Sequence, residues 1–199
     1  MKILDLLYVS LVDPRRGIHE TILRYDNVHF ICGLIILSLA ALSNIAGGGV
    51  MGVPFSGASF YPVVGLSDVM VRFVSILFMS VLLHGVFGLF GKRGNILSLI
   101  SGLMISTVPF AYMACFSMIS QALVRLSDNH VLGNTIFLIS QFAIILCFVW
   151  MLVETIRLNY DFENSTQAFV ALLIGVFVSI FSLMAFGVGL FSSSLFRLV

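Results

Sequence analysis

Charge is scarce in this sequence. Only 10% of its 199 residues are Asp, Glu, Lys or Arg, while 60% are apolar and the mean hydropathy is +1.13. Soluble domains run near one quarter charged, and so few polar groups cannot cover a folded surface in water. A soluble globular protein is excluded, and the solvent is lipid. The net charge of +1 excludes nucleic acid as a partner, because phosphate binding needs a clustered surplus of Lys and Arg. Cysteine is rare as well. Cys32, Cys115 and Cys147 stand far apart in apolar runs, so they suggest neither a metal pair nor a disulfide framework and read as small packing residues. HExxH, GxSxG, P-loop and dinucleotide-turn patterns are all missing. No catalytic residue, metal or cofactor is therefore assigned, and the chain reads as a non-enzyme. The first residues carry one Lys and an apolar run broken by Asp5 and Asp13 before Pro14, a poor signal peptide.

What the sequence does contain is apolar runs of membrane-crossing length. The expected fold is an all-α integral membrane protein, a bundle of about five transmembrane helices preceded by an interfacial amphipathic segment. Residues 1–27 form that segment, holding four of the ten basic and four of the nine acidic residues. Ile3, Leu4, Leu7, Tyr8 and Leu11 recur at helical spacing, which suits a short helix lying on the membrane with its apolar face down. Asp13 and Pro14 predict the N-cap and first residue of a second helix, with Arg16, Glu20 and Arg24 on a solvated face. The transmembrane region is 28–199, with spans at about 28–47, 68–91, 96–124, 135–156 and 167–191.

Between the first two spans, the Gly- and Pro-rich stretch GGGVMGVPFSGASFYPVVG predicts a loop held near the interface by Phe55, Phe60 and Tyr61. The third segment, at roughly 43 Å, exceeds one straight crossing. Pro109 near its middle predicts a kink, the freed carbonyl being met by Ser106, Thr107 or a neighbour; a re-entrant hairpin is the alternative. With the N-terminus inside, Lys2, Arg15, Arg16, Arg24, Lys92, Arg93 and Arg157 face the cytoplasm, and Arg72, Arg125 and Arg197 face outward. That asymmetry predicts N-in, C-out.

Ionisable groups within a membrane are functional candidates by default. His84 is a candidate proton relay or metal ligand, although a metal needs three or four ligands and no His, Cys or carboxylate stands at i+3 or i+4. The simpler reading is a neutral imidazole bonded to a neighbouring helix. His29 and His84 as a haem pair lack any confirming motif. Glu154 with Arg157, and Asp68 with Arg72, have the spacing of self-neutralising pairs. Gln141 and Gln121 are further polar points. Small residues form the more coherent pattern: Gly85, Gly88 and Gly91 on the second span, and Gly175, Ser179, Ser182, Ala185 and Gly189 on the fifth, predict close helix packing.

The layout resembles the Yip1 domain family of small five-span membrane proteins. LVDPRRGIHETI looks like that family's amphipathic lead-in. GKRGNILSLISGLMISTVPFAYM is similar to its Gly-rich loop and proline-bearing helix, and WMLVETIRLNYDFENSTQAFVALLIG, from Trp150, to its fourth helix, polar loop and fifth helix. The resemblance covers nearly the whole chain and implies no catalytic residues. Eukaryotic members are associated with vesicle trafficking and bind small GTPases partly through a long cytosolic N-terminal region. Only about 27 residues precede the first span here, which argues against a GTPase partner and toward compact bacterial members of the inner membrane. The expected role is to organise or partner other membrane components through helix packing, as a homo-oligomer or with another membrane protein, in contact with membrane lipids. The alternatives are a small transporter or channel component with a polar site around Pro109, His84 and Gln141, or an accessory subunit of a larger complex.

Overall fold

In the computed structural model, residues 2–50, 60–127, 130–178 and 180 are described, and among them every regular element is a helix. The elements are α1 (Ile3–Val12), α2 (Pro14–Leu23), α3 (Asn27–Val50), α4 (Phe60–Leu89), α5 (Ile96–Ile105), α6 (Val108–Ala111), α7 (Met113–Ser127), α8 (His130–Asn159) and α9 (Ser165–Val178). Four stretches are long and apolar enough to cross a membrane: Asn27–Gly47, Gly65–Leu89, Ile96–Ser127 and His130–Asn159. The protein is a multi-pass helical membrane protein. α9 is a shorter apolar helix, and the remainder of the expected fifth span lies outside the described residues, as do Phe55, Ser179, Ser182, Ala185 and Gly189. Most of the predicted loop, 51–59, lies outside the described residues; Phe60 and Tyr61 already belong to α4, whose first turn accommodates Pro62 because the first turn needs no N–H from it.

The overlong third segment is the centre of the bundle. In its most apolar window 72% of residues are buried, against 17% for α4 and 22% for α8. It runs one way throughout. Gly33 of α3 abuts Ser101 and Met104, and Gly47 abuts Met113 and Ser117, so α3 and the α5–α7 segment advance in parallel. α8 returns antiparallel, with Gly133 against Ser120, Phe148 against Phe110 at 5.1 Å and Thr155 against Ser106. The segment is therefore one broken crossing and not a re-entrant hairpin.

Just before Pro109 two hydroxyls turn back onto carbonyls of their own helix that already accept a backbone N–H. Ser106 Oγ donates to Gly102 O at 2.8 Å and Thr107 Oγ1 to Met104 O at 2.6 Å. A second interruption at Tyr112 is bridged from outside, the Ala114 N–H donating to Ser43 Oγ of α3 at 2.9 Å. In lipid, where no water can serve such a group, a bond supplied by a neighbouring helix helps make a broken helix tolerable.

The N-terminal segment packs against the bundle. α1 and α2 form a tight hairpin, with Asp13 capping α2 by accepting from Arg16 N at 3.2 Å and Gly17 pressed on Ser10. Its Leu6 and Ile18 are fully buried with Cys32, Ile36, Ile105, Val108 and Met151, and Tyr112 Oη donates to Leu11 O at 2.9 Å. Leu4 and Tyr8, two of the apolar residues expected on one face, are exposed together with Val12. The hairpin is packed into the bundle by Leu6 and Ile18, because α1 has apolar side chains on both faces.

Candidate functional site

Residues 154–160, at and just past the end of α8, bring together the polar side chains of Glu154, Thr155, Arg157, Asn159 and Tyr160. Glu154 is 5% exposed and accepts from Arg157 Nε at 2.9 Å and Nη2 at 2.7 Å. This two-point fork is the strongest geometry available to such a pair. Arg15 of α2 adds a third contact, its Nε 3.5 Å from Oε1, while remaining mostly exposed. Thr155 Oγ1 shares a hydrogen bond with Ser106 Oγ at 3.0 Å, and Ser98 Oγ donates to Asn159 Oδ1 at 2.7 Å. Tyr160, 1% exposed, lies with its hydroxyl 3.0 Å from His84 Nδ1 and its ring 4.6 Å from Phe87. Burial pushes its phenol up to about 12.

The opposing surface on α5 explains this gathering. Ser98, Gly102 and Ser106 recur every fourth residue and face Thr155 and Asn159, also four apart. Gly102 is the point of close approach on α5: a Cβ there would stand 2.7 Å from Thr155 Cγ2 and 3.0 Å from Ile22. Gly94, in the preceding loop, presses similarly on Asn159 and Tyr160. Small residues let helix backbones approach until side-chain hydrogen bonds can form between them.

Two helix ends finish beside this cluster with the same cap. α4 ends through Gly91 at φ 74, with Lys92 N bonded to Phe87 O at 2.9 Å and Gly91 N to Gly88 O at 3.0 Å. α8 ends through Asp161 at φ 51, with Phe162 N bonded to Arg157 O at 3.0 Å. Asp is among the few side chains that tolerate this left-handed turn. The residues following the two caps meet: Lys92 Nζ lies 4.5 Å above the Phe162 ring and 3.5 Å from Asp161 O. Beneath them opens a groove of about 650 Å³ between the end of α4 and the start of α9.

The other candidate residues sit in separate contacts. Asp68 and Arg72 pair at 2.7 Å, each about a quarter exposed. Gln141 Nε2 lies against Met113 Sδ, and Pro109 is buried in α6. His29 is engaged by Asp26 at 3.1 Å, whose carboxyl the Val28 N–H holds below its ordinary range. Among the described residues, no three His, Cys, Asp or Glu side chains are grouped to hold a metal ion. Gly175 packs on α4, where a Cβ would meet Leu83 Cδ2 at 2.5 Å. Gly85 and Gly88, expected to pack, face open space: no described atom lies within 4 Å of a Cβ built at either.

Missed by the sequence reading were Arg15, Ser98, Gly102, Thr155, Asn159 and Tyr160. The four-residue spacing of Ser98, Gly102 and Ser106 was the available signal. Comparisons with known protein families, with curated proteins and with solved structures found no match to this chain.

Proposed function

We propose that this chain is a non-enzymatic, multi-pass membrane protein of the Yip1 type that organises or partners other membrane components. The reading carries with it a bacterial inner-membrane setting, an N-terminus in the cytoplasm, and a fifth crossing that continues from α9 and leaves the C-terminus outside. One observation supports it above the others: His84, Gln141 and Glu154, polar side chains within the spans, each meet a partner on another element. His84 meets Tyr160, Gln141 meets Met113 and Glu154 meets Arg157 and Arg15. Groups spent in this way hold helices together and leave little for a reacting or transported solute. A mid-bundle cavity of about 270 Å³ beside Thr107 is lined almost wholly by apolar side chains such as Leu83, Phe148 and Leu172, which does not suit the polar site a transporter of hydrophilic solutes requires.

The open glycine face of α4 then becomes the surface on which another helix would pack. Gly85→Leu with Gly88→Leu should leave membrane insertion intact and reduce crosslinking to a second copy or to a membrane partner retained in gentle detergent. Unchanged crosslinking and unchanged copurification would count against the reading. Fusion of a cytoplasm-only reporter after Val199 tests the orientation, and activity there would overturn the five-crossing topology.

A further inference from the structure

The groove between the end of α4 and the start of α9 is graded from polar to apolar along its length. At its mouth stand Lys92, Phe162, Asn164 and Gln167; further along α9 it is walled by Val170 and Ile174, with Phe87 of α4 between, its ring 6.0 Å from that of Phe162. Its volume of about 650 Å³ lies within the range of small-molecule sites. The mouth coincides with the end of two helices, where the chain passes from hydrocarbon to headgroups.

The charged side chain that lines the mouth is a cation without an ion pair. Lys92 forms no ion pair with any described residue, and neither does Arg93 beside it. The Lys92 ammonium is positioned by the Phe162 ring and by one long contact to Asp161 O, and an ammonium has three donors. Asp161 and Glu163 lie on the same turn, are exposed, and do not line the groove. Asn164 caps α9 by accepting from Gln167 N at 2.9 Å, so the first turn of α9 presents its unbonded N–H groups at the same mouth.

We infer that this groove binds one phospholipid of the surrounding leaflet, and selects an anionic headgroup. The lipid phosphate meets the Lys92 ammonium and the first turn of α9, and an acyl chain lies along Phe87, Val170 and Ile174. The occupant is a lipid because the polar end sits at headgroup level while the apolar end opens toward hydrocarbon. A peptide would leave its backbone groups without partners there. The inference is independent of any protein partner.

The test uses the full chain in phosphatidylcholine vesicles carrying a small fraction of brominated phosphatidylglycerol or brominated phosphatidylcholine. Trp150, the single tryptophan, lies partly exposed on α8 away from the groove. A reporter is made by combining Trp150→Phe with Phe90→Trp at the groove edge. Brominated phosphatidylglycerol should quench this reporter with about fivefold higher apparent affinity than brominated phosphatidylcholine, whereas native Trp150 should show no such preference. Lys92→Gln should abolish the preference and Lys92→Arg retain it. Ala171→Phe, which fills the groove, should weaken quenching by both lipids. Equal quenching by the two lipids, or a preference that survives Lys92→Gln in a protein that still inserts, would overturn the inference.

Discussion

Two halves of one helix follow different rules. From Leu132 to Trp150, α8 shows Leu138, Ile139, Phe142, Ile145, Leu146 and Trp150 to the outside, and few of its side chains are buried. From Met151 to Asn159 it buries Val153, Glu154, Thr155 and Ile156, and its polar groups tie it to α2 and α5. In water the first half would be the core and the second the surface. In lipid, apolar side chains gain little by leaving the solvent, so association rests on close packing and on hydrogen bonds between helices. The buried end of α8 is where both are available.

The largest way to break this contrast is to remove the carboxylate at the buried end. Glu154→Ala leaves Arg157 without its fork, and it should destabilise the fold by about 3 kcal/mol, the lower end for a broken buried pair because Arg157 is a quarter exposed. Reversible unfolding in mixed micelles measures it, and a loss no greater than for an exposed Leu would remove the distinction between the two halves. Gly102→Leu comes next, at about 1–3 kcal/mol from overpacking against Thr155 and Ile22. Thr155→Val should cost about 1 kcal/mol, because Ser106 keeps its bond to Gly102 O. The exposed half is the control: Leu146→Ala should stay within about 0.5 kcal/mol.

Alkaline pH separates the two ends by another route. Tyr160 keeps its proton in the folded protein to about pH 12, while an unfolded tyrosine releases it near 10. Its contribution is full below about pH 10 and is lost as pH rises toward 12, because over that interval the unfolded chain has released a proton that the folded one retains. Ultraviolet titration of wild type against Tyr160→Phe should show this phenol ionising last. Its appearance near pH 10 in the folded protein would remove the buried assignment.

Much of the architecture was legible in the chain. Apolar runs with Asp13, Pro14 and Gly91 as punctuation locate most helix ends to within about five residues, since each local rule concerns one residue and its immediate neighbours, the start of α4 at Phe60 being the exception. The site was less legible. Ser98, Gly102 and Ser106 on one helix and Thr155 and Asn159 on another lie four apart, and Gly85 and Gly88 of α4 lie three apart; both spacings put residues on one face, yet only the first set is in contact. Spacing says which residues share a face, and it is silent about which face meets which.

The sequence by itself determined the solvent, the helical class, the approximate span limits and the pairing of residues three or four apart, such as Glu154 with Arg157. These follow from composition and from the 3.6-residue period, neither of which needs a partner segment. Tertiary structure decided that the proline-bearing segment is the core, that Arg15 reaches Glu154 and His84 reaches Tyr160, and that Lys92 meets Phe162 above a groove. These contacts join residues distant in the chain, and their geometry exists only once helix ends are capped and helices have chosen their neighbours.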